Sequence, residues 1–329
     1  MLRKMNIKTL STIFGVLVVI YAIQIITAPK GTGNMPDFIT SFETEQCNKI
    51  VISPKGKDKP DIILFKKNNK NWVVTEQNSN KEFAADSNTV RNLLREMSQL
   101  SPLRIATQNK ERWQQFDVTD SLGVRVSFFE DDDVLADLII GRFTYTQSPM
   151  AAQMMQQNPY MRQNPGTMST YVRNADETEV YAVEGFLASS VGTETERYRD
   201  RTFFSMSKAL IEPVEFSFSF PGDSSFILRK QGEQWNIGSQ AADSASVANY
   251  INGIRNLRVS SFAGEKPEKV SHKVTIKGEN GVATTIEAQF DEDSTLIMSS
   301  QYPDNLALDK SHYLFNKIFV SKSKFLKEE

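Results

Sequence analysis

One phrase occurs twice in this chain and sets limits on any fold it can adopt. Residues Ala84-Ala85-Asp86-Ser87-Asn88-Thr89-Val90 return as Ala241-Ala242-Asp243-Ser244-Ala245-Ser246-Val247. The echo runs on: Val90, Leu93, Leu94, Met97 and Leu100 match Val247, Tyr250, Ile251, Ile254 and Leu257 at a constant offset of 157 residues. Apolar residues at i, i+3, i+4, i+7 and i+10 form one face of an α-helix. Asp86 or Ser87, and Asp243 or Ser244, stand where a side-chain acceptor caps the first turn. Upstream of each helix lie an apolar run, a basic turn and a tryptophan: Ile62–Phe65 with Trp72, and Phe226–Arg229 with Trp235. The pattern predicts a duplicated strand–strand–helix unit.

The N-terminus carries a second constraint. No charged residue occurs between Thr9 and Pro29, and the apolar stretch Leu10–Ala28 is 19 residues long. As a helix it measures about 28 Å, close to the ~30 Å hydrocarbon core of a bilayer. Arg3, Lys4 and Lys8 precede it. The positive-inside rule therefore keeps residues 1–9 in the cytoplasm and exports the remainder. The reading is a single-pass anchor in a bacterial inner membrane, with the bulk of the chain in the periplasm. The alternative is a cleaved signal peptide, for which Thr27-Ala28-Pro29 is a poor cleavage site. Residues 29–48 contain Gly31, Gly33 and Pro36 and read as a linker.

The expected fold class is α+β: an N-terminal transmembrane helix, then two modules of antiparallel strands, each packed with one helix. The first repeat takes residues 49–205 and the second 206–329. Expected strands include Leu135–Ile140, Ser169–Arg173, Val214–Phe220 and Tyr313–Val320. Ile105 to Asp120 reads as an irregular crossing segment. The first repeat alone carries an insertion, 147–169. It holds Met150, Met154, Met155, Met161 and Met168, with Tyr160 and three prolines. Methionine offers adaptable apolar contact, so Met154, Met155, Tyr160 and Met161 are candidate partner-binding residues. The same thioethers could alternatively ligate copper(I). Arg197, Arg199 and Arg201 form the densest basic cluster. They are a second candidate contact, for an anion or lipid headgroup, unless they join the two repeats through salt bridges.

Other chemistry is sparse. The formal charge is −2 and three of the cations precede the apolar segment, so the exported part is acidic and unsuited to nucleic acid. His272 and His312 are the only histidines, and Cys47 the only cysteine, without metal-ligand spacing. The acidic run Glu130–Asp133 lacks the calcium-loop pattern and reads as a solvated hairpin turn. Ser205-Met206-Ser207-Lys208 fits Ser-x-x-Lys, but the companion Ser-Asp-Asn and Lys-Thr-Gly motifs are missing. No nucleotide-binding loop is present. The sequence thus predicts no enzyme and no cofactor.

Several phrases together resemble a known family. These are the tryptophan hairpin, the Ala-Asp-Ser-capped helix, Ile139-Ile140-Gly141-Arg142, Tyr171-Val172-Arg173, Val180-Tyr181-Ala182-Val183 and Tyr198-Arg199-Asp200-Arg201. They are similar to domain-of-unknown-function family 4340, over roughly Lys49 to Met298. Where that family has Gly-Leu-Asp before its third strand, this chain has Phe116-Asp117-Val118. The resemblance implies one N-terminal anchor and association with ABC-type export or gliding-motility components. It implies no catalytic residue. The expected function is a non-enzymatic, membrane-anchored extracytoplasmic scaffold or accessory subunit. Its expected partner is an envelope membrane-protein complex such as an ABC-type permease. The alternative is a lipid- or glycan-binding envelope module.

Overall fold

A computed structural model describes residues 35–56, 59–68, 70–147, 166–206 and 213–326. The apolar segment Leu10–Ala28 and most of the insertion, with Met154, Met155, Tyr160 and Met161, lie outside the described residues. Among those described, no helix is long and apolar enough to cross a membrane.

The described chain is mainly β-structure with few helices, an α+β-like arrangement built on two large antiparallel sheets. The first part contains β1 (Lys49–Ser53), β2 (Ile62–Lys67), β3 (Asn71–Glu76), β4 (Phe83–Ala84), α1 (Ser87–Met97), β5 (Pro102–Thr107), β6 (Val124–Glu130), β7 (Asp133–Gln147), β8 (Gly166–Asn174), β9 (Val180–Glu184) and the single-turn α2 (Leu187–Ser190). The second part contains β10 (Thr202–Ser205), β11 (Pro213–Ser219), β12 (Phe226–Gln231), β13 (Gln234–Ile237), β14 (Gln240–Ala241), α3 (Ser244–Ile254), β15 (Asn256–Arg258), β16 (His272–Gly278), β17 (Ala283–Gln289), β18 (Thr295–Ser299), β19 (Ala307–Asp309) and α4 (Tyr313–Ile318).

The chain divides into two compact units. Of the described residues, those up to Asp61 and within Asn92–Thr193 make one, and those within Ile62–Arg91 and from Glu194 onward make the other. Within the first, the strand order is β1-β6-β7-β8-β9-β5; within the second, β14-β13-β12-β11-β16-β17-β18-β19 is continuous and β2-β3-β4 forms a meander. The same connections recur: β2-β3-β4 and β12-β13-β14 are meanders, and β1 and β11 pair antiparallel with β6 and β16 across the intervening helix.

Each element follows from its residues. In β11 the pairs Phe216↔Ile276 and Phe218↔Val274 place buried side chains on one face, while Ser217 alternates outward. In β1 the pairs Ile50↔Phe128 and Ile52↔Val126 do the same. Gly232, at φ +59, supplies the left-handed residue of the two-residue turn between β12 and β13. Helix α1 buries Val90, Leu93, Leu94 and Met97. Helix α3 buries Val247, Tyr250 and Ile254, and joins a core with Phe203, Phe216, Phe218 and Phe325. Ile251, expected on that stripe, is only partly covered; the larger Tyr250 takes the central place and donates from its hydroxyl to Ile318 O at 2.8 Å.

The caps behave alike. Asp86 accepts from the N–H of Asn88 and Thr89 at 3.0 and 3.1 Å, and Asp243 accepts from Ser246 N at 2.9 Å. Upstream, Ala85 N donates to Trp72 O and Ala242 N to Trp235 O. Downstream, Asp86 N donates to Tyr198 O and Asp243 N to Phe325 O, each at 2.7 Å. Tyr198 and Phe325 are fully buried aromatics, and each lies at the end of a short 3-10 turn.

Three local expectations need correction. Tyr313–Val320 is not a strand: its first six residues form α4, with Leu314, Phe315 and Ile318 buried. Ile105 to Asp120 begins within β5, an edge strand paired with β9, and continues as a 3-10 helix, Lys110–Phe116. Part of the stretch read as a linker is docked: Ile39 N donates to Leu100 O, Thr40 Oγ1 donates to Met97 O at 2.6 Å, and Cys47 is fully buried.

Candidate functional site

Three places combine chemistry with geometry. The first is the arginine cluster. Arg197 ends the 3-10 turn Thr195–Arg197. Arg199 is 8% exposed, and its guanidinium lies between the rings of Phe83 and Phe262, at 3.7 and 3.6 Å from their centroids. One of its amino groups donates to Asp304 O at 2.9 Å, while its Nε, also buried, meets no acceptor. Burial pushes its pKa down, with Glu196 and Asp304 opposing that effect. Arg201 donates to Ser260 O at 2.6 Å and to Glu196 O at 3.4 Å. The side-chain bonds of Arg199 and Arg201 thus go to backbone carbonyls, the groups a loop-rich segment leaves without ladder partners. Beside Arg199 is a recess of about 490 Å³, lined by Lys81, Lys266, Glu82, Glu196 and Asp304 as well as the two rings. Both charge signs border it, so it selects no ligand charge.

The second place is the stem of the insertion. Strands β7 and β8 continue beyond the expected ends as a paired ladder, from Phe143↔Thr170 through Tyr145↔Met168 to Gln147↔Gly166. Ser169, at the expected end of the insertion, is buried in the sheet. A register shift between Ile140 and Phe143 gives the ladder a bulge at Gly141. A Cβ on Gly141 would sit 2.2 Å from Phe116 O and 2.6 Å from Val118 Cγ1, so only glycine fits there. Beyond the bulge, Phe143, Tyr145 and Met168 share a face. They are 37%, 39% and 54% exposed, and Phe186, 50% exposed, meets Phe143 edge to face at 5.1 Å. Residues two apart on a strand and directly opposed across the ladder line one side of it. The four form one continuous apolar surface.

The third is a recess of about 660 Å³ in the second unit, which sequence reading did not single out. Phe220 follows β11, His272 opens β16, and Phe315 and Phe319 come from α4 and its C-terminal end. His272 Nδ1 shares a hydrogen bond with Ser271 Oγ at 2.9 Å, and burial lowers its pKa. The rings come from three separate parts of the chain, so no sequence spacing could reveal them.

Trp72 and Trp235 are buried. Asp131 and Asp132 form the turn between β6 and β7, with Asp131 at φ +54 and bonded to Asn48 at 2.7 Å. His272 and His312 both approach the ring of Phe290, at 6.1 and 5.2 Å. No group of three metal-ligating side chains occurs among the described residues. A residue named only for its family phrase proves central to its surroundings. Arg173 is 1% exposed, stacks on Trp113 at 3.7 Å, and donates to the carbonyls of Val118, Asn174, Ala175 and Glu177 and to Asp120.

No curated protein and no solved structure matches the chain significantly. Residues 162–275 match the model of a family described as Domain of unknown function (DUF4340), a narrower stretch than the sequence phrases suggested. That stretch takes in β8 with Arg173, the Arg197–Arg201 cluster and α3 with its Asp243 cap, and ends within β16.

Proposed function

We propose that the chain is a non-enzymatic adaptor, held at the outer face of a bacterial inner membrane by its N-terminal apolar segment and docked on a membrane-protein complex. A subunit of an ABC-type export or gliding-motility system is the partner class that the family resemblance favours. Duplication of one strand–strand–helix module accounts for the matched meanders, caps and buried aromatics. One observation carries the adaptor reading: the exposed apolar face of Phe143, Tyr145, Met168 and Phe186 on the stem that presents the methionine-rich insertion. Contiguous exposed apolar side chains on a soluble surface mark interaction sites. Methionine and aromatic residues adapt their shape to a partner at modest cost.

The test uses the ladder itself. Gln147 and Gly166 are paired, so a two-residue Asn-Gly turn can join them in place of residues 148–165. The shortened chain should fold normally and recover much less membrane partner in co-purification from native membranes. Undiminished recovery would remove the insertion from the contact surface.

A further inference from the structure

The recess at His272 has a definite chemical character. The ring centroids of Phe220 and His272 are 5.2 Å apart, those of His272 and Phe315 4.9 Å, and those of Phe315 and Phe319 5.0 Å. Phe319 lies 6.2 Å from Phe220 and closes the set. The three phenylalanine rings and the His272 imidazole make a continuous, largely apolar floor. Its volume of about 660 Å³ falls within the roughly 300–1,000 Å³ of small-molecule sites. The rim holds Lys322, Ser224 and the pair Ser321 and Ser323, which bond each other at 2.7 Å.

The composition of the lining selects among ligands. Among the described residues, no carboxylate, amide, tyrosine or tryptophan lines the recess. A sugar needs several convergent donors and acceptors, because each buried hydroxyl left unpaired costs about 1–3 kcal/mol. This floor offers none beyond an imidazole already bonded to Ser271. An apolar chain needs none. Among the described lining residues the one charged side chain, Lys322, is cationic, so it complements an anionic head at the rim and opposes a cationic one.

We propose that this recess binds a single-chain anionic amphiphile, its tail on the four rings and its head at Lys322. The recess lies within the second unit, and its occupancy does not depend on the adaptor reading.

The experiment uses the full chain in nanodiscs of zwitterionic phospholipid. A twelve-carbon carboxylate with a photoreactive group at the tail end is crosslinked, and the labelled peptides are mapped by mass spectrometry. Label should concentrate in the peptides that carry Phe220–Ser224 and Phe315–Ser323. Unlabelled dodecanoate should compete clearly better than dodecanol. Lys322→Glu, a change at an exposed position, should lower labelling about fivefold without altering the thermal midpoint, the scale of one exposed ion pair. Label spread over the surface, or confined to the N-terminal apolar segment, would overturn the site. Equal competition by dodecanol, or unchanged labelling of Lys322→Glu, would overturn the anionic head.

Discussion

Arg173 is almost completely covered and yet carries a charge at every accessible pH. Its planar fork reaches four carbonyls, of which that of Asn174 also accepts from Glu177 N, and the exposed Asp120 supplies the opposite charge. Arg173→Ala should destabilise the protein by about 3 kcal/mol or more, since each buried carbonyl left without a donor costs about 1–3 kcal/mol. Arg173→Lys should rescue little, because an ammonium cannot reproduce the fork; urea midpoints measure both. Gly141→Ala should cost about 1–3 kcal/mol through overpacking, because the clash is with the backbone oxygen of Phe116. Asp86 gives the pH-dependent case. Burial raises its pKa, but the bond from Arg258 at 2.8 Å and the N–H groups of Thr89 and Asn88 outweigh that and hold it below the usual carboxylate range. A carboxyl with a depressed folded pKa stabilises the fold above its unfolded value of about 3.9, and that contribution is lost as pH falls through the folded pKa. Asp86→Asn keeps a capping acceptor but loses the charge that Arg258 meets, so it should lower stability at neutral pH by up to about 1 kcal/mol. It should also flatten the loss below about pH 4. A variant with the parent's full acid-side slope would show that the Asp86–Arg258 pair does not contribute to it.

At the scale of elements, the insertion offers the sharpest test of stability. Joining Gln147 to Gly166 through Asn-Gly should leave the thermal midpoint almost unchanged or slightly higher, since loop length enters closure entropy only logarithmically. A large fall would mean that residues 148–165 contribute to the core. Removal of the whole stretch 147–169 should be much more damaging, because Ser169 is buried and Tyr145↔Met168 is part of the ladder. The sequence made some elements plain and hid others for physical reasons. Helices α1 and α3 and the tryptophan meanders were legible because their apolar spacing repeats and an aspartate marks each start. Helix α4 was not: Tyr313, Phe315, Phe319 and Val320 are strand-forming types, and six residues are too few to show a helical period. Strand β5 opens on Pro102 and is confined to an edge, so it lacks the apolar alternation of a central strand. The far ends of β7 and β8 were hidden by a composition that suggested a loop. The recess at His272 was illegible, because only the fold brings position 220 to positions 272, 315 and 319.

At the scale of the molecule, the charge and topology expected from the sequence lead to a simple experiment. Protease added outside the cytoplasmic membrane should digest the bulk of the chain and leave a short membrane-protected fragment containing Leu10–Ala28. A mature protein beginning after Ala28 would replace the anchor with a cleaved leader and leave export unchanged. The buried cations of both units belong to the framework, and this directs attention to the exposed apolar stem as the surface where a partner would dock. The most direct measurement places a photoreactive amino acid at Tyr145, 39% exposed on the stem, and a control at Val282, 44% exposed on the turn before β17. Crosslinking in native membranes should give a discrete membrane-protein adduct from position 145 and none from position 282. The same adducts from both positions, or a discrete adduct from 282 alone, would contradict the stem as the contact surface and the adaptor reading built on it.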